Sequence, residues 1–335
     1  MGRNAVFAAA VLMFCMLCAS EAGAQPRTWR YNGTGQWRES EDAPGPARTG
    51  NVPNKTLDKA ERLTDSGRLE PAHDILLDWL KRTPKAPDRD RAVYLLAQVY
   101  YANGDRVWCF YECDELLDNY PDSRLFFPAL RLQYQVADAF LNGYKKKFLG
   151  LAVVGMREEA IEMLFRIQER SPGSPIAERS LLRTADHYYH TSEFDLSADA
   201  YGAFLRTYPR SSQGPKARLR QAYSNFAQFR GPRYDATPLI DARAQFQDII
   251  VRYPALAQEE GLQGFIDKIE DQLAQKVYIR ADFYRRTHEP AAAVFVYRTL
   301  IQQYPNSRQA AAARKELSRM PRWALNHPEP PVMKK

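Results

Sequence analysis

Apolar positions recur along this chain at helical spacing, and the segments that carry them end alike. Bulky, aromatic or small residues stand at Leu300, Tyr297, Ala293, Tyr284, Ala281 and Val277 ahead of Pro305, and at Phe204, Tyr201, Ser197, Tyr188, Ala185 and Leu181 ahead of Pro209. Ahead of Pro121 the same offsets hold Leu116, Cys113, Cys109, Tyr100, Ala97 and Val93. Steps of three and four place such residues on one face of a helix. Six segments close on a proline, at Pro84, Pro121, Pro172, Pro209, Pro254 and Pro305, four of them as Tyr-Pro. Proline cannot continue a helix and drives the residue before it out of the α region, so each marks a helix end.

The alternation of large and small positions predicts paired antiparallel helices, in which the small residues admit a close approach and the large ones fill the groove to the next pair. This is the pattern of a tetratricopeptide repeat. The expected fold is all-α, a right-handed superhelix (α-solenoid) of five or six helical hairpins, with Gly67 and Gly104 at the left-handed turn between paired helices. The prolines are 37, 51, 37, 45 and 51 residues apart, so three units are oversized. The first surplus is Asn142 to Gly155, between helices of about Leu125 to Leu141 and Arg157 to Arg170. The second, Gly231 to Pro238, reads as a turn-rich loop. The third reads as an extension of one helix, from Ala255 to about Arg286.

The ends differ from the array. Arg3, an apolar run from Ala5 to Cys18 and the small-x-small triplet Ala22-Gly23-Ala24 read as a cleavable signal peptide over residues 1–24. The run is short for a membrane span, which needs about 20 residues. The triplets before Cys15 and Cys18 lack the small residues of a lipobox. A flexible arm is expected over residues 25–55, with Thr28 to Arg38 either an Asn-Gly hairpin or unstructured, then the array over 56–320 and a tail over 321–335. The chain is 45% hydrophobic, with a formal net charge of +7. In an exported protein that excess suits anionic lipid or acidic proteins, or a mixed solvated surface, better than nucleic acid.

No nucleophile elbow, phosphate loop or dinucleotide fingerprint is present, and catalysis, cofactor and metal are not expected. Cys109 and Cys113 sit at packing offsets and read as buried thiols. His187 and His190, beside Asp186, are the most ligand-like grouping, but lack a third ligand at metal spacing and read as surface and groove polarity.

Binding candidates are more informative. Tyr144, Lys145, Lys146, Lys147, Phe148 and Leu149 set three cations beside an apolar stretch, which either projects towards an anionic head group or partner protein, or tucks under the neighbouring hairpin with its lysines wet. Arg280, Arg285 and Arg286 form a second basic cluster, for an acidic partner or as a solvated helix face. Tyr189, His190, Tyr223 and Tyr278 lie beside the packing offsets as candidates to line a peptide-binding groove.

The unit from Tyr188-Tyr189 through Tyr201 to Tyr208-Pro209-Arg210-Ser211, and the closing unit from Phe283-Tyr284 through Tyr297-Arg298 to Tyr304-Pro305-Asn306-Ser307, resemble the BamD (YfiO) family of outer-membrane assembly proteins. The resemblance extends over roughly Lys55 to Met320 as architecture and is specific in the last two units. It implies an array at the periplasm or the periplasmic face of the outer membrane, binding other envelope proteins, among them a β-barrel assembly machine and unfolded β-barrel substrates. The family is normally lipid-anchored, and this sequence departs from it in lacking the lipobox. A cell-division coordinator of the CpoB (YbgF) type shares the Tyr-Pro-x-Ser ends and is the alternative, with an unrecognised periplasmic enzyme as the third reading.

Overall fold

The computed structural model describes residues 29–31, 37–39, 54–148 and 151–330, in two units divided at residue 50. The first unit holds an antiparallel pair, β1 (Trp29–Tyr31) with β2 (Trp37–Glu39), in which Arg30 faces Arg38. Of the two readings of this stretch, the strand pairing of a hairpin is found, and its Asn32-Gly33 turn lies outside the described residues. The expected signal peptide and most of the arm lie outside the described residues.

The second unit is an array of helical hairpins: α1 (Lys55–Asp65) with α2 (Leu69–Arg82), α3 (Arg89–Asn103) with α4 (Arg106–Asn119), and α5 (Phe126–Leu141) with α6 (Arg157–Arg170). There follow α7 (Pro175–His190) with α8 (Phe194–Thr207), α9 (Gly214–Ala227) with α10 (Thr237–Arg252), and α12 (Leu262–Arg286) with α13 (Pro290–Gln303). A short α11 (Pro254–Glu259) precedes α12, and α14 (Arg308–Leu317) and α15 (Arg322–Asn326) close the chain. From α1 to α14 each helix packs on the next, α15 packs on α13, and first helices of successive hairpins also meet, α1 with α3, α5 with α7, α7 with α9 and α12 with α14. The fold is the all-α tetratricopeptide-type solenoid that the sequence pattern predicts.

All six proline-ended helices stop in one conformation. The residue before each proline has φ between −142° and −124° and ψ between 56° and 64°, and its N–H still closes a bond to the carbonyl four residues back. Where the sequence runs Pro-x-Ser, the serine starts the following turn: Ser174 Oγ accepts from Ala177 N at 3.2 Å and Ser307 Oγ from Ala310 N at 3.1 Å. At these two sites a proline ends one helix and a serine cap two residues on begins another, whereas Ser123 and Ser211 accept from the N–H two residues on and α5 and α9 start after them. At the tight turns inside hairpins, equivalent positions all have positive φ: Gly67 (75°), Gly104 (86°), Ser192 (63°) and His288 (60°).

The offsets behave as packing demands. Ala97, Cys109, Ala185, Ser197, Ala281 and Ala293 are sealed, as are Tyr201, Phe204, Tyr297 and Leu300. Buried residues fall into five clusters strung along the array, the arrangement of a solenoid whose stability is a sum of neighbour interfaces.

Two of the oversized units differ from expectation, and the first, left unassigned by the sequence, has a structure of its own. The first oversized unit contains a β-hairpin, β3 (Lys145–Phe148) antiparallel to β4 (Leu151–Gly155), with its register shifted between Lys146 and Lys147. Phe148 to Val154 is rich in β-branched and apolar residues between glycines, a strand signal passed over for the charge beside it. The third surplus does not extend one helix: Gly261, at φ 62°, breaks it into α11 and α12. In the second, Thr237-Pro238 already belongs to α10, with proline in the first turn where its missing N–H costs nothing.

Candidate functional site

The first helices of the hairpins present a row of residues one step away from the packing offsets. Tyr94, Gln98 and Tyr101 on α3 stand 27, 23 and 20 residues before Pro121, as Tyr278, Asp282 and Arg285 on α12 stand before Pro305. Asp186 and Tyr189 on α7 occupy the last two of these places before Pro209. Between α3 and α5 the row opens into a cleft of about 450 Å³, lined by Tyr94, Gln98, Tyr101, Pro128, Arg131, Leu132 and Gln135. Its walls mix aromatic rings, amides and one guanidinium, groups that grip a peptide backbone without demanding one sequence.

Ion pairs between successive first helices hold the row in register. Arg91 on α3 reaches Asp58 at 2.8 Å and Glu61 at 2.5 Å on α1, and Arg183 on α7 reaches Asp138 on α5 at 2.5 Å and Asn142, which caps α5, at 2.8 Å. Arg220 on α9 donates to Asp186 on α7. The outer helices have a counterpart, with Asp114 on α4 taken by Arg166 and Arg170 of α6, both at 3.1 Å. The arginine fork suits such half-sheltered carboxylates.

Around Asp186 the pair becomes a network. Tyr201 donates to Asp186 Oδ1 at 2.5 Å, and Arg220 Nη1 donates to the Tyr201 hydroxyl at 3.2 Å while its guanidinium lies 5.4 Å from the centre of the Tyr189 ring. Burial, reinforced by the bond to Asp186, pushes the Tyr201 phenol far up, so it stays a donor. Tyr189 also meets the rings of Phe194 and Tyr201 edge-on.

The other residues singled out from sequence are distributed along the array. Tyr223 packs against Phe246 and Phe265 and donates to Glu260 at 3.1 Å, which leaves it half-buried. Tyr278 lies against Tyr297, and His190 is exposed beside Tyr189. Arg285 and Arg286 both pair with Asp282, at 2.6 and 3.0 Å, while Arg280 is exposed. Tyr144 roots the β-hairpin: its hydroxyl donates to Gly104 O at 2.7 Å and its ring lies 5.2 Å from the Arg106 guanidinium. Lys145, Lys146, Lys147 and Phe148 form β3, and Leu149 lies outside the described residues.

Tyr94, Gln98, Tyr101, Arg131 and Gln135 were not singled out from sequence. The offsets contain the signal for three of them, since Tyr101 stands before Pro121 where Tyr189 stands before Pro209.

Cys109 and Cys113 are free, sealed thiols, and Cys113 is pushed well up by its hydrogen bond with Cys109 and by burial. His187 corrects its expected place at the surface. It is 8% exposed, and burial, helped by the neighbouring Arg183, lowers it from its ordinary value. Among the described residues no three His, Cys, Asp or Glu side chains converge as a metal site. Among them, too, no helix is long and apolar enough to cross a membrane.

The family model YfiO, outer membrane lipoprotein, matches residues 154–322, just over half of the chain. The chain belongs to the YfiO family. The matched span runs from the end of β4 to α15 and takes in the Asp186–Tyr201–Arg220 network. Among curated proteins, the chain is 23% identical over 150 residues to an outer membrane protein assembly factor BamD of Caulobacter vibrioides, covering 45% of this chain and 49% of that one. It is 20% identical over 156 residues to the BamD of Rickettsia prowazekii, covering 47% and 62%. The chain thus spans about half the length of the curated relatives it matches. Two solved structures are similar to this YfiO-family chain. A tetratricopeptide repeat protein from Parabacteroides merdae has TM-score 0.35 and 12% identity, covering 79% of this chain and 96% of that one. A kinesin light chain with tetratricopeptide-like repeats from Podosopora anserina has TM-score 0.32 and 15% identity, covering 59% and 92%.

Proposed function

We propose that this chain is a BamD-type scaffold of the periplasm or the periplasmic face of the outer membrane, without catalytic chemistry of its own, that takes part in β-barrel protein assembly. The observation that carries this reading is the YfiO match over residues 154–322, joined by curated relatives named as assembly factors. The proposed partners are other envelope proteins, a barrel-assembly machine and unfolded barrel substrates, received as extended or helical segments. The receiving face is the row from Tyr94 and Gln98 through Tyr189 and His190 to Tyr223 and Tyr278, with Arg280, Arg285 and Arg286 at its far end. Such a face suits a scaffold because its aromatic rings and amides stand on helices fixed by ion pairs, so binding costs little ordering of the receiver.

The amino-terminal 24 residues are proposed to be a signal peptide, with 25–55 an arm, 56–320 the array and 321–335 a tail. The β-hairpin carrying Lys145, Lys146, Lys147, Phe148 and Leu149 is proposed as a peripheral contact with anionic lipid. Depletion followed by outer-membrane proteomics tests the assembly role: β-barrel proteins should fall selectively. Normal barrels with septal defects would favour the division-coordinator reading instead. For the hairpin, replacing the three lysines by glutamate should abolish flotation with anionic liposomes, and unchanged flotation removes the membrane contact.

A further inference from the structure

The exposed face of α4 carries a patch of aromatic and acidic side chains, outside the span matched by the YfiO model. Trp108 is 59% exposed and Tyr111 57% exposed, two large rings in contact on one face of the helix. They form one continuous platform. The Trp108 ring stacks 6.3 Å from Tyr100 at 30°, Tyr111 meets Trp108 at 6.2 Å, and His73 of α2 closes the other end against Tyr100 at 5.5 Å. His73 Nε2 and the Tyr100 hydroxyl are 3.2 Å apart, which fixes the inner end of the row.

The same stripe is acidic. Glu112 and Glu115 follow Trp108 and Tyr111 at helical spacing, so rings and carboxylates share one face of α4. Elsewhere in the array the half-sheltered carboxylates Asp58, Asp114, Asp138 and Asp186 each have an arginine. Among the described residues neither Glu112 nor Glu115 has a cation within 4.0 Å, although Glu112 is half-buried and the chain carries a net charge of +7. Burial, with Glu115 beside it, raises Glu112 to about 7.

We infer that the Tyr100–Trp108–Tyr111 platform, with Glu112 and Glu115, docks an arginine- or lysine-bearing segment of another protein. The cation lies over the indole face and its charge meets the carboxylates. A guanidinium satisfies both halves of the face at once, stacking on Trp108 and pairing with Glu112 in a fork. A purely apolar segment would strand the carboxylates under it, and an acidic one would be repelled.

Titrating the full chain with three fluorescein-labelled peptides, alternating Ser-Arg, Ser-Glu and Ser-Leu, tests this by fluorescence anisotropy. The Ser-Arg peptide should bind at least tenfold more tightly than either other. Trp108→Ala should weaken it about tenfold, and the pair Glu112→Gln and Glu115→Gln by a similar factor. Trp108→Phe, which keeps a ring and the packing, should lose less than Trp108→Ala, and circular dichroism establishes that each variant is folded. Equal binding of the three peptides, no Ser-Arg binding at millimolar concentration, or Ser-Arg binding untouched by the α4 variants would each overturn the inference. So would Trp108-dependent binding of a neutral glycan such as chitohexaose in place of the cationic peptide. The Tyr94–Gln135 cleft is intact in all these variants, so loss of the assembly role and loss of this contact are separable.

Discussion

The hydroxyl of Tyr201 lies 2.5 Å from Asp186 Oδ1, so the second helix of the α7–α8 hairpin is tied to the first through a group that the next hairpin, by way of Arg220, also grips. One carboxylate therefore serves three elements. Asp186→Ala would leave a phenol and a guanidinium short of an acceptor, at a cost of about 1–3 kcal/mol. Tyr201→Phe removes the donor to Asp186 and a second, longer acceptor for Arg220, which keeps its bond to Asp186, and should cost about 1 kcal/mol. Because the groups share one network, the double variant should cost clearly less than the sum of the singles in urea unfolding followed by circular dichroism. Strict additivity would show that the hydroxyl and the carboxylate act independently.

The small offsets should be intolerant of bulk. Ala293 is sealed where α13 crosses α12, whereas Ala311 on α14 is exposed. Ala293→Leu should destabilise by about 1–3 kcal/mol or more through overpacking, and Ala311→Leu by less than about 0.5 kcal/mol. Thermal melts of the two variants side by side check this, and similar melting temperatures would mean that helix spacing is not set at Ala293.

Two hairpin turns carry a side chain where the backbone favours none. Ser192 and His288 have φ near 60° at the positions that Gly67 and Gly104 hold in earlier units. Ser192→Gly and His288→Gly should each be neutral to stabilising, by up to about 1 kcal/mol, as relief of the left-handed strain outweighs the added freedom of the unfolded chain. A loss of more than that from either change would point to a contact made by the side chain itself.

These turns also show how far the sequence could be read. The proline ends, the small-large offsets and the left-handed glycines are local signals, and each recurs, so the hairpins and their order were legible. The break at Gly261 was not, because a single glycine between two helical patterns has the same local appearance as a tolerated helical glycine. The β3–β4 hairpin escaped for a different reason: five residues are too few for alternation to outweigh a conspicuous run of lysines. As for the binding face, Tyr189 was found because it adjoins a packing offset. Arg131 and Gln135, which lie opposite Tyr94 and Tyr101 across the cleft, come from an oversized unit whose register cannot be counted from its proline. The arginine bridges between first helices join residues thirty or more apart in sequence, and no local pattern reports them.

Cys109 and Cys113 should be chemically silent while the chain is folded. Both are sealed in the core shared by α3 to α6, and the hydrogen bond between them, with burial, holds the Cys113 thiol well above its ordinary range. Thiolate is the reactive form, so a disulfide-exchange reagent such as 5,5′-dithiobis(2-nitrobenzoate) should label neither residue in native protein at pH 8 and both in guanidinium. Rapid labelling of the folded chain would mean that the α3–α4 hairpin opens far more readily than its packing implies.

A titration of stability should expose His187. Its ring is buried in α7, and desolvation, with Arg183 nearby, lowers the folded-state value below the ordinary 6.5. The unfolded chain, keeping the ordinary value, binds more protons at this residue in the window between the two. Stability contributed here therefore rises with pH through that window and is fully present above about pH 7. As pH falls through 6.5 and below, the unfolded histidine charges while the folded one resists, and the fold weakens. His187→Gln cannot titrate, so between pH 7.5 and 5.5 its unfolding midpoint in urea should decline less steeply than that of the wild type, whose carboxylates contribute equally to both. Parallel slopes would mean that the imidazole reaches solvent and protonates in place.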